Sequence, residues 1–443
     1  MRVRWLRAVA GGAALGAAVL VPAGTAYAAE DPLCSNVATD VQVAATGDSL
    51  PLSLMRVPQA QEFLARHGRE AGSGQRVAVV DSGVGGRGIP VAAHQSFSRK
   101  AEIEDPHGTL VAGLIAGAPR ADDKAVGVAP GAEIVDVRIY DLPAPQDPNA
   151  EDGVTNAGLV EGLGWVADNA QRLDIGVVNV SLAVPGSRAL RDVVARLWDS
   201  GVVVVAASGN RPADESDPLW AEFGYEGASV RPAGEDAATA VFPAGYPHVV
   251  AVSATADGAE AITTDASEFV LQSSAIDIAA PTYGGVSVTP NGSTCVLNDI
   301  ATSWAAAEVS GVVALLRSAY PNEDPAQIVA RLLYSANGTP DRPTVQTGAG
   351  VVQPIEALVR PLDPNGHGTV ASTSQEPERH LRATVPEPEA DLLAGTRDHA
   401  VWWGLLGGGA LLLALILRPV FGRRLQGRVP RDAPQGVLGH PTR

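Results

Sequence analysis

Three residues far apart in this 443-residue chain are of the types that together break acyl bonds. Asp81 lies in Val-Ala-Val-Val-Asp-Ser-Gly-Val, His107 opens His-Gly-Thr-Leu-Val-Ala-Gly-Leu-Ile-Ala-Gly, and Ser303 lies in Ala-Thr-Ser-Trp-Ala-Ala-Ala-Glu-Val-Ser-Gly. A serine hydroxyl is a poor nucleophile at neutral pH unless an imidazole takes its proton. The imidazole in turn needs a carboxylate to hold its tautomer and stabilise its cation. Singly, each residue has a plainer reading: Asp81 as a turn former, His107 as a helix-entry residue, Ser303 as a helix cap. Ser303 sits where a small-residue turn enters an apolar helix, and unpaired N–H groups and the helix dipole there favour an anion. A hydrolase of the α/β-hydrolase type fits poorly, because its nucleophile lies in Gly-x-Ser-x-Gly with the order Ser, acid, His. A metal hydrolase fits no better: His107 lacks His-x-x-x-His spacing, and His94 has no evident partner ligands.

The elements that must position these side chains are short apolar strands alternating with helices. Strand patterns fall at 76–80, 132–139, 175–182, 202–207 and 249–254, and helical ones at 52–67, 110–116, 153–170, 190–199 and 301–316. This alternation predicts an α/β fold, a mostly parallel central sheet with helices on both faces. Ligands then bind beyond the carboxyl ends of the strands, and Asp81 stands at such an end. Segments 141–156, 211–239 and 284–299 interrupt the alternation. The second, rich in acid, Gly and Pro, directly follows Asn210; it either narrows the cleft or docks a partner, or is a solvated surface loop.

A net charge of −17 and a pI near 4.9 argue against nucleic-acid binding, which takes clustered Lys and Arg. Residues 1–28 read as a signal peptide: Arg2, Arg4 and Arg7, an apolar run, then Ala26-Tyr27-Ala28. Export permits a disulfide between the only two cysteines, Cys34 and Cys295, tying the N-terminal extension (29–73) to the loop before Ser303. The globular part spans 74–360. Residues 361–399 read as a Pro-rich linker, in which His367-Gly368-Thr369-Val370 mimics the His107 motif as a decoy. Residues 400–417 carry no charge, begin with a Trp pair and precede an Arg-rich tail (418–443), as a single transmembrane helix with its C-terminus in the cytoplasm does. The catalytic part then faces outward from the cell membrane.

With these motifs in the order Asp, His, Ser, the chain resembles the subtilisin-like serine proteases, the subtilases, from about residue 74 to 358. The resemblance implies a subtilisin-like three-layer fold and a serine endopeptidase working through an acyl-enzyme. Asp81 would orient, His107 would be general base and then general acid, and Ser303 would attack. Asn210, in Val-Val-Ala-Ala-Ser-Gly-Asn, matches the oxyanion-hole asparagine, with the Ser303 backbone N–H as second donor. Ser181, Leu182 and Ala183 resemble the strand that pairs with an extended protein substrate, and Ala207, Ser208 and Gly209 the first specificity pocket. Four positions depart from the pattern: Ala301 and Ala183 stand for Gly, Ala307 for Pro, and Ser208 for Ala. The same resemblance admits structural calcium without naming ligands for it, and brings no other cofactor.

A narrower resemblance is to the mycosins, membrane-anchored subtilases of actinobacterial type VII secretion. It rests on the order of signal peptide, Cys-containing extension, subtilase core, Pro-rich stalk, one membrane helix and basic tail, and on the inserted loops. It implies the secretion machinery as partner. The alternative function is a weakly active or inactive subtilase that serves as a structural component of a secretion complex, a reading motivated by Ala301 and Ala307.

Overall fold

A computed structural model describes residues 31–36, 41–145, 147, 149–212, 215, 217, 219–224, 234–370 and 394–422. The expected signal peptide, residues 371–393 of the linker and the tail from 423 lie outside the described residues. Seven strands form one parallel sheet: β1 (Arg76–Asp81), β2 (Val91–Ser96), β3 (Glu133–Arg138), β4 (Ile175–Val180), β5 (Val203–Ala207), β6 (Val249–Thr255) and β7 (Ile278–Pro281). Their order across the sheet is β2-β3-β1-β4-β5-β6-β7. The inner strands are apolar almost without interruption because both faces are covered. Val77, Val79, Val203, Val205, Val250 and Val252 join one core, and Ala78, Val80, Val135, Val137, Val204 and Ala206 another.

The first face carries α3 (His107–Ala116) and α7 (Thr302–Ala319), and the second carries α4 (Asn156–Leu173) and α5 (Arg188–Asp199). Nearly every residue of α7 is buried, as expected of a helix that is apolar all round. By contrast α5 is amphipathic, burying Leu190, Val193, Val194 and Leu197. The α/β architecture with helices on both faces is thus the observed one.

Several elements differ from the sequence reading. The segment 52–67 forms two helices, α1 (Leu50–Leu54) and α2 (Val57–Arg66), because Arg56 is left-handed at φ 57° and Pro58 occupies the first turn of α2. Strand β2 was illegible because it is an exposed edge strand with no apolar run, Val-Ala-Ala-His-Gln-Ser. The segment 284–299 is no plain loop: β8 (Gly285–Val288) and β9 (Thr294–Leu297) pair antiparallel within it. The described parts of the extension, 31–36 and 41–49, run along this hairpin, with Leu33 bridging Val296 and Cys34 bonded to Cys295 across a Cα–Cα distance of 4.9 Å. The described residues of the insertion after Asn210 include a short helix, α6 (Trp220–Phe223), and a 3₁₀ turn at Ala237–Thr239.

Beyond α7 come α8 (Pro325–Ser335) and α9 (Pro354–Val359). Residues 361–370, expected in the linker, turn back on α8: Pro364 bridges Val370, and its carbonyl accepts from Gln327. His367 therefore sits in an exposed turn, bonded through its N–H to Asn365. Residues 1–372 cluster as one unit and 373–443 as a second. In the latter, α10 (Ala394–Gly422) starts six residues before the apolar run at Ala400. Its stretch Gly395–Pro419 is long and apolar enough to cross a membrane, about 38 Å at helical rise against a hydrocarbon core of about 30 Å.

Candidate active site

Asp81 is the last residue of β1 and is fully buried. The chain then turns through Ser82-Gly83, with Gly83 at φ 108°, where a side chain would be strained. Helix α3 begins against that turn. A Cβ on Gly108 would lie 2.7 Å from the Gly83 carbonyl and 3.1 Å from Asp81 Cβ, so only glycine lets the helix start this close. The approach brings His107 Nδ1 to 2.8 Å from Asp81 Oδ1. Two further donors reach the same oxygen: the Ser82 N–H at 2.7 Å and the Tyr140 hydroxyl at 3.0 Å. Asp81 Oδ2 is buried with no hydrogen-bond partner among the described residues.

Burial alone would push the His107 imidazole down, but the charge and hydrogen bond of Asp81, with Asp105 and Asp299 behind them, hold its pKa above the ordinary value. The loop leading into α3 is itself tethered. Buried Arg138, at the end of β3, donates to the Glu102 carbonyl at 2.6 Å and to Asp141 at 2.7 Å. Nearby, Arg99 pairs with Asp152.

Ser303 is the second residue of α7 and is buried at the rim of the sheet. Its hydroxyl donates to the Ser181 carbonyl at 3.2 Å, and no hydrogen bond joins it to His107. The Ser303 carbonyl accepts from Ser181 Oγ at 2.9 Å, and in an α-helix it also faces the Ala307 N–H. An alanine at 307 therefore adds a main-chain bond to the serine that a proline would remove. Ala301 is extended at φ −142°, a conformation any residue adopts, so alanine costs nothing there. The next side chain, Trp304, lies with its ring centroid 5.0 Å from that of His107, and its indole N–H is tied to Asp299 at 3.0 Å.

Asn210 follows β5 and is exposed. Its Oδ1 accepts from the Thr302 N–H at 2.8 Å and the Thr302 hydroxyl at 2.9 Å, which turns the Nδ2 donors the other way. Leu182 and Ala183, just past β4, carry no main-chain hydrogen bond to any described residue, whereas the Gly209 N–H is held by Thr302 and the Ser208 N–H by Val252. The hydroxyl of Ser208, one of the departures, is buried with no hydrogen-bond partner among the described residues.

Beneath the site runs a buried polar chain: Ser310 Oγ donates to Asn179 Oδ1 at 3.0 Å, and Asn179 Nδ2 to Ser181 Oγ at 2.9 Å. Asn179, Tyr140, Thr302 and Trp304 were not singled out as site residues by sequence. The one available signal was a polar Asn inside the apolar strand Ile-Gly-Val-Val-Asn-Val. The ends of the insertion after Asn210 are pinned by an ion pair of Arg211 with buried Glu235, at 2.9 and 3.0 Å. Among the described residues no group of three or more His, Cys, Asp or Glu could hold a metal ion. His94 pairs instead with buried Asp136 at 2.6 Å.

A parallel α/β sheet with this cluster at its carboxyl edge defines the class: a subtilisin-like serine endopeptidase. Residues 72–351 match the profile of the subtilase family (peptidase S8), and the chain belongs to that family. It is 31% identical over 387 residues to Mycosin-1 of Mycobacterium tuberculosis, covering 78% of this chain and 81% of that protein. Subtilisin E of Bacillus subtilis is 32% identical over 276 residues, covering 60% of this chain and 61% of the other. Among solved structures, the MycP3 protease from the type VII (ESX-3) secretion system superposes with a TM-score of 0.53 at 28% identity, covering 74% of this chain and 91% of that one.

Proposed function

We propose that Asp81, His107 and Ser303 form the catalytic triad of this endopeptidase, and that the chain is anchored in the cell membrane by α10 with its catalytic part outside. The carrying observation is the 2.8 Å bond from His107 Nδ1 to buried Asp81, made beside the helix start that bears Ser303. Peptide substrate adds as an extended strand along the open main chain of Leu182 and Ala183. The Ser303 hydroxyl leaves the Ser181 carbonyl, and His107 Nε2 takes its proton as Oγ bonds to the scissile carbonyl carbon. Oxyanion charge is received by Asn210 Nδ2 and the Ser303 N–H. His107 then gives the proton to the departing amine, leaving an acyl-Ser303 that water hydrolyses with His107 again as base. Because the imidazole must be neutral to accept a proton, activity falls as pH drops through the His107 pKa, which lies above the ordinary value.

Type VII secretion is the setting supported by the mycosin relatives, through the order of extension, protease core and membrane helix. Substrates are exported proteins or a pro-segment. A second reading, a scaffold with a weak site, is favoured by one observation: Ser303 bonds Ser181 rather than His107. Fluorophosphonate labelling of the full-length chain in detergent separates the two. The endopeptidase reading expects labelling that Ser303→Ala abolishes; a label retained in Ser303→Ala, or absent from the unaltered chain, rejects it.

A further inference from the structure

The Tyr140 hydroxyl touches the Asp81–His107 pair from outside the three-residue relay. Tyr140 follows β3, is 3% exposed, and donates to Asp81 Oδ1 at 3.0 Å while lying 3.5 Å from His107 Nδ1. On the neighbouring loop the half-buried Asp105 accepts the His107 N–H at 3.0 Å and sits in the field of His107, Asp81 and Tyr140. The backbone fixes this arrangement. Asp81 and Arg138 are in register on β1 and β3, so the residue two beyond Arg138 reaches over the end of β1, and Asp105 is two residues ahead of α3. Four titratable groups face His107 from the packed elements: Asp81 from β1, Asp105 from the loop before α3, Tyr140 from the end of β3, and Asp299 from the loop before α7. Arg138, behind Gly83, is engaged by Asp141.

We infer that Tyr140 and Asp105 are positioning residues that set the basicity of His107 from opposite directions, Tyr140 by dispersing the Asp81 charge and Asp105 by adding a second negative charge beside the imidazole. The inference rests on the triad reading above. Tyr140 serves as a neutral donor, since burial, with Asp81 and Asp105 adding to it, pushes its pKa well above 10. A phenol bond to Asp81 Oδ1 leaves less negative charge to stabilise the imidazolium, so losing it raises the His107 pKa. Losing the Asp105 charge lowers it. Tyr140→Phe keeps the ring and deletes only the hydroxyl. Asp105→Asn keeps an acceptor for the His107 N–H and deletes only the charge.

The test is the rate of fluorophosphonate labelling of the full-length chain in detergent micelles as a function of pH, with Ser303→Ala as blank. Tyr140→Phe is expected to move the acid limb up by about 0.5–1 pH unit, and Asp105→Asn to move it down by a similar amount. A purely structural role lowers the rate by the same factor at every pH and leaves the limb in place. Limbs that stay put, or that move in the same direction in both variants, overturn the inference. If Tyr140→Phe does not fold, the Asp105→Asn limb alone decides, supporting the inference by moving down and refuting it otherwise. An unaltered chain that takes no label overturns both the inference and the triad reading, whereas a labelled chain with unmoved limbs overturns only the inference.

Discussion

Replacing Asn210 by Ala probes the proposed oxyanion hole without touching the proposed triad. The side-chain oxygen is occupied twice over by Thr302, at 2.8 and 2.9 Å, which leaves Nδ2 as the group free to meet an oxyanion. Deleting one such donor lowers kcat by about 10²–10³-fold, or about 2.7–4 kcal/mol of transition-state stabilisation, with KM nearly unchanged. Thr302→Val keeps the N–H anchor and removes the hydroxyl one. That hydroxyl also accepts the Gly209 N–H at 3.3 Å; the loss of its bond to Asn210, about 1 kcal/mol, loosens Asn210 and lowers kcat by about fivefold. The part of this loss that runs through Asn210 is absent once residue 210 is Ala, so the double variant should be slower than Asn210→Ala alone by less than that fivefold. The assay is hydrolysis of a fluorogenic peptide by the full-length chain in detergent, with kcat and KM separated. A loss below tenfold in Asn210→Ala, a loss carried by KM, or additive effects in the double variant would refute this account.

Two buried carboxyls outside the site carry predictions for stability. Burial raises Asp277 to a pKa of about 6, although its Oδ2 accepts the Ala251 N–H at 2.9 Å. The folded state thus holds that proton more tightly than the unfolded chain. The associated stability is full below the unfolded value near 4 and lost as pH rises through about 6, a change of up to about 3 kcal/mol. Asp277→Asn, which keeps the acceptor, should raise Tm at pH 8 and leave it nearly unchanged at pH 4; equal shifts at both pH values would contradict the linkage. Glu308, in the middle of α7, is fully buried with neither carboxyl oxygen partnered among the described residues, and burial pushes its pKa well above the ordinary value. Glu308→Met keeps the volume and removes the desolvated polar group, so thermal unfolding at pH 7 should show a gain of about 1–3 kcal/mol. A lower Tm would mean that the carboxyl has a partner.

The sheet was legible because β1, β4, β5 and β6 are buried on both faces and so read as apolar runs. Strand β2 was not, because an exposed edge places no demand on residue type. The Cys34–Cys295 pairing was legible because the sequence has two cysteines and an N-terminus that reads as an export signal, yet the wrapping of the extension along β8 and β9 depended on contacts no local pattern encodes. Linker residues 361–370 misled because a Pro-rich composition with no apolar period can still fold back by main-chain pairing, as Pro364 and Val370 do with each other, with the Pro364 carbonyl held by Gln327 of α8.

Residue chemistry and immediate context determined Asp81, His107, Ser303 and Asn210 as candidates: a carboxylate at a strand end, an imidazole and a hydroxyl at helix starts, an amide after a buried strand. These are local properties, carried by a few neighbouring residues. Only the tertiary structure decided what surrounds them. Tyr140 is 59 residues from Asp81, Ser181 is 122 from Ser303, and Asn210 is 92 from Thr302, so these bonds arise from strand order and helix packing. The structure also decided the meaning of the departures. Ala301 brings no backbone strain because the chain there is extended, and Ala307 adds a bond to the Ser303 carbonyl because a helix brings residue 307 opposite residue 303.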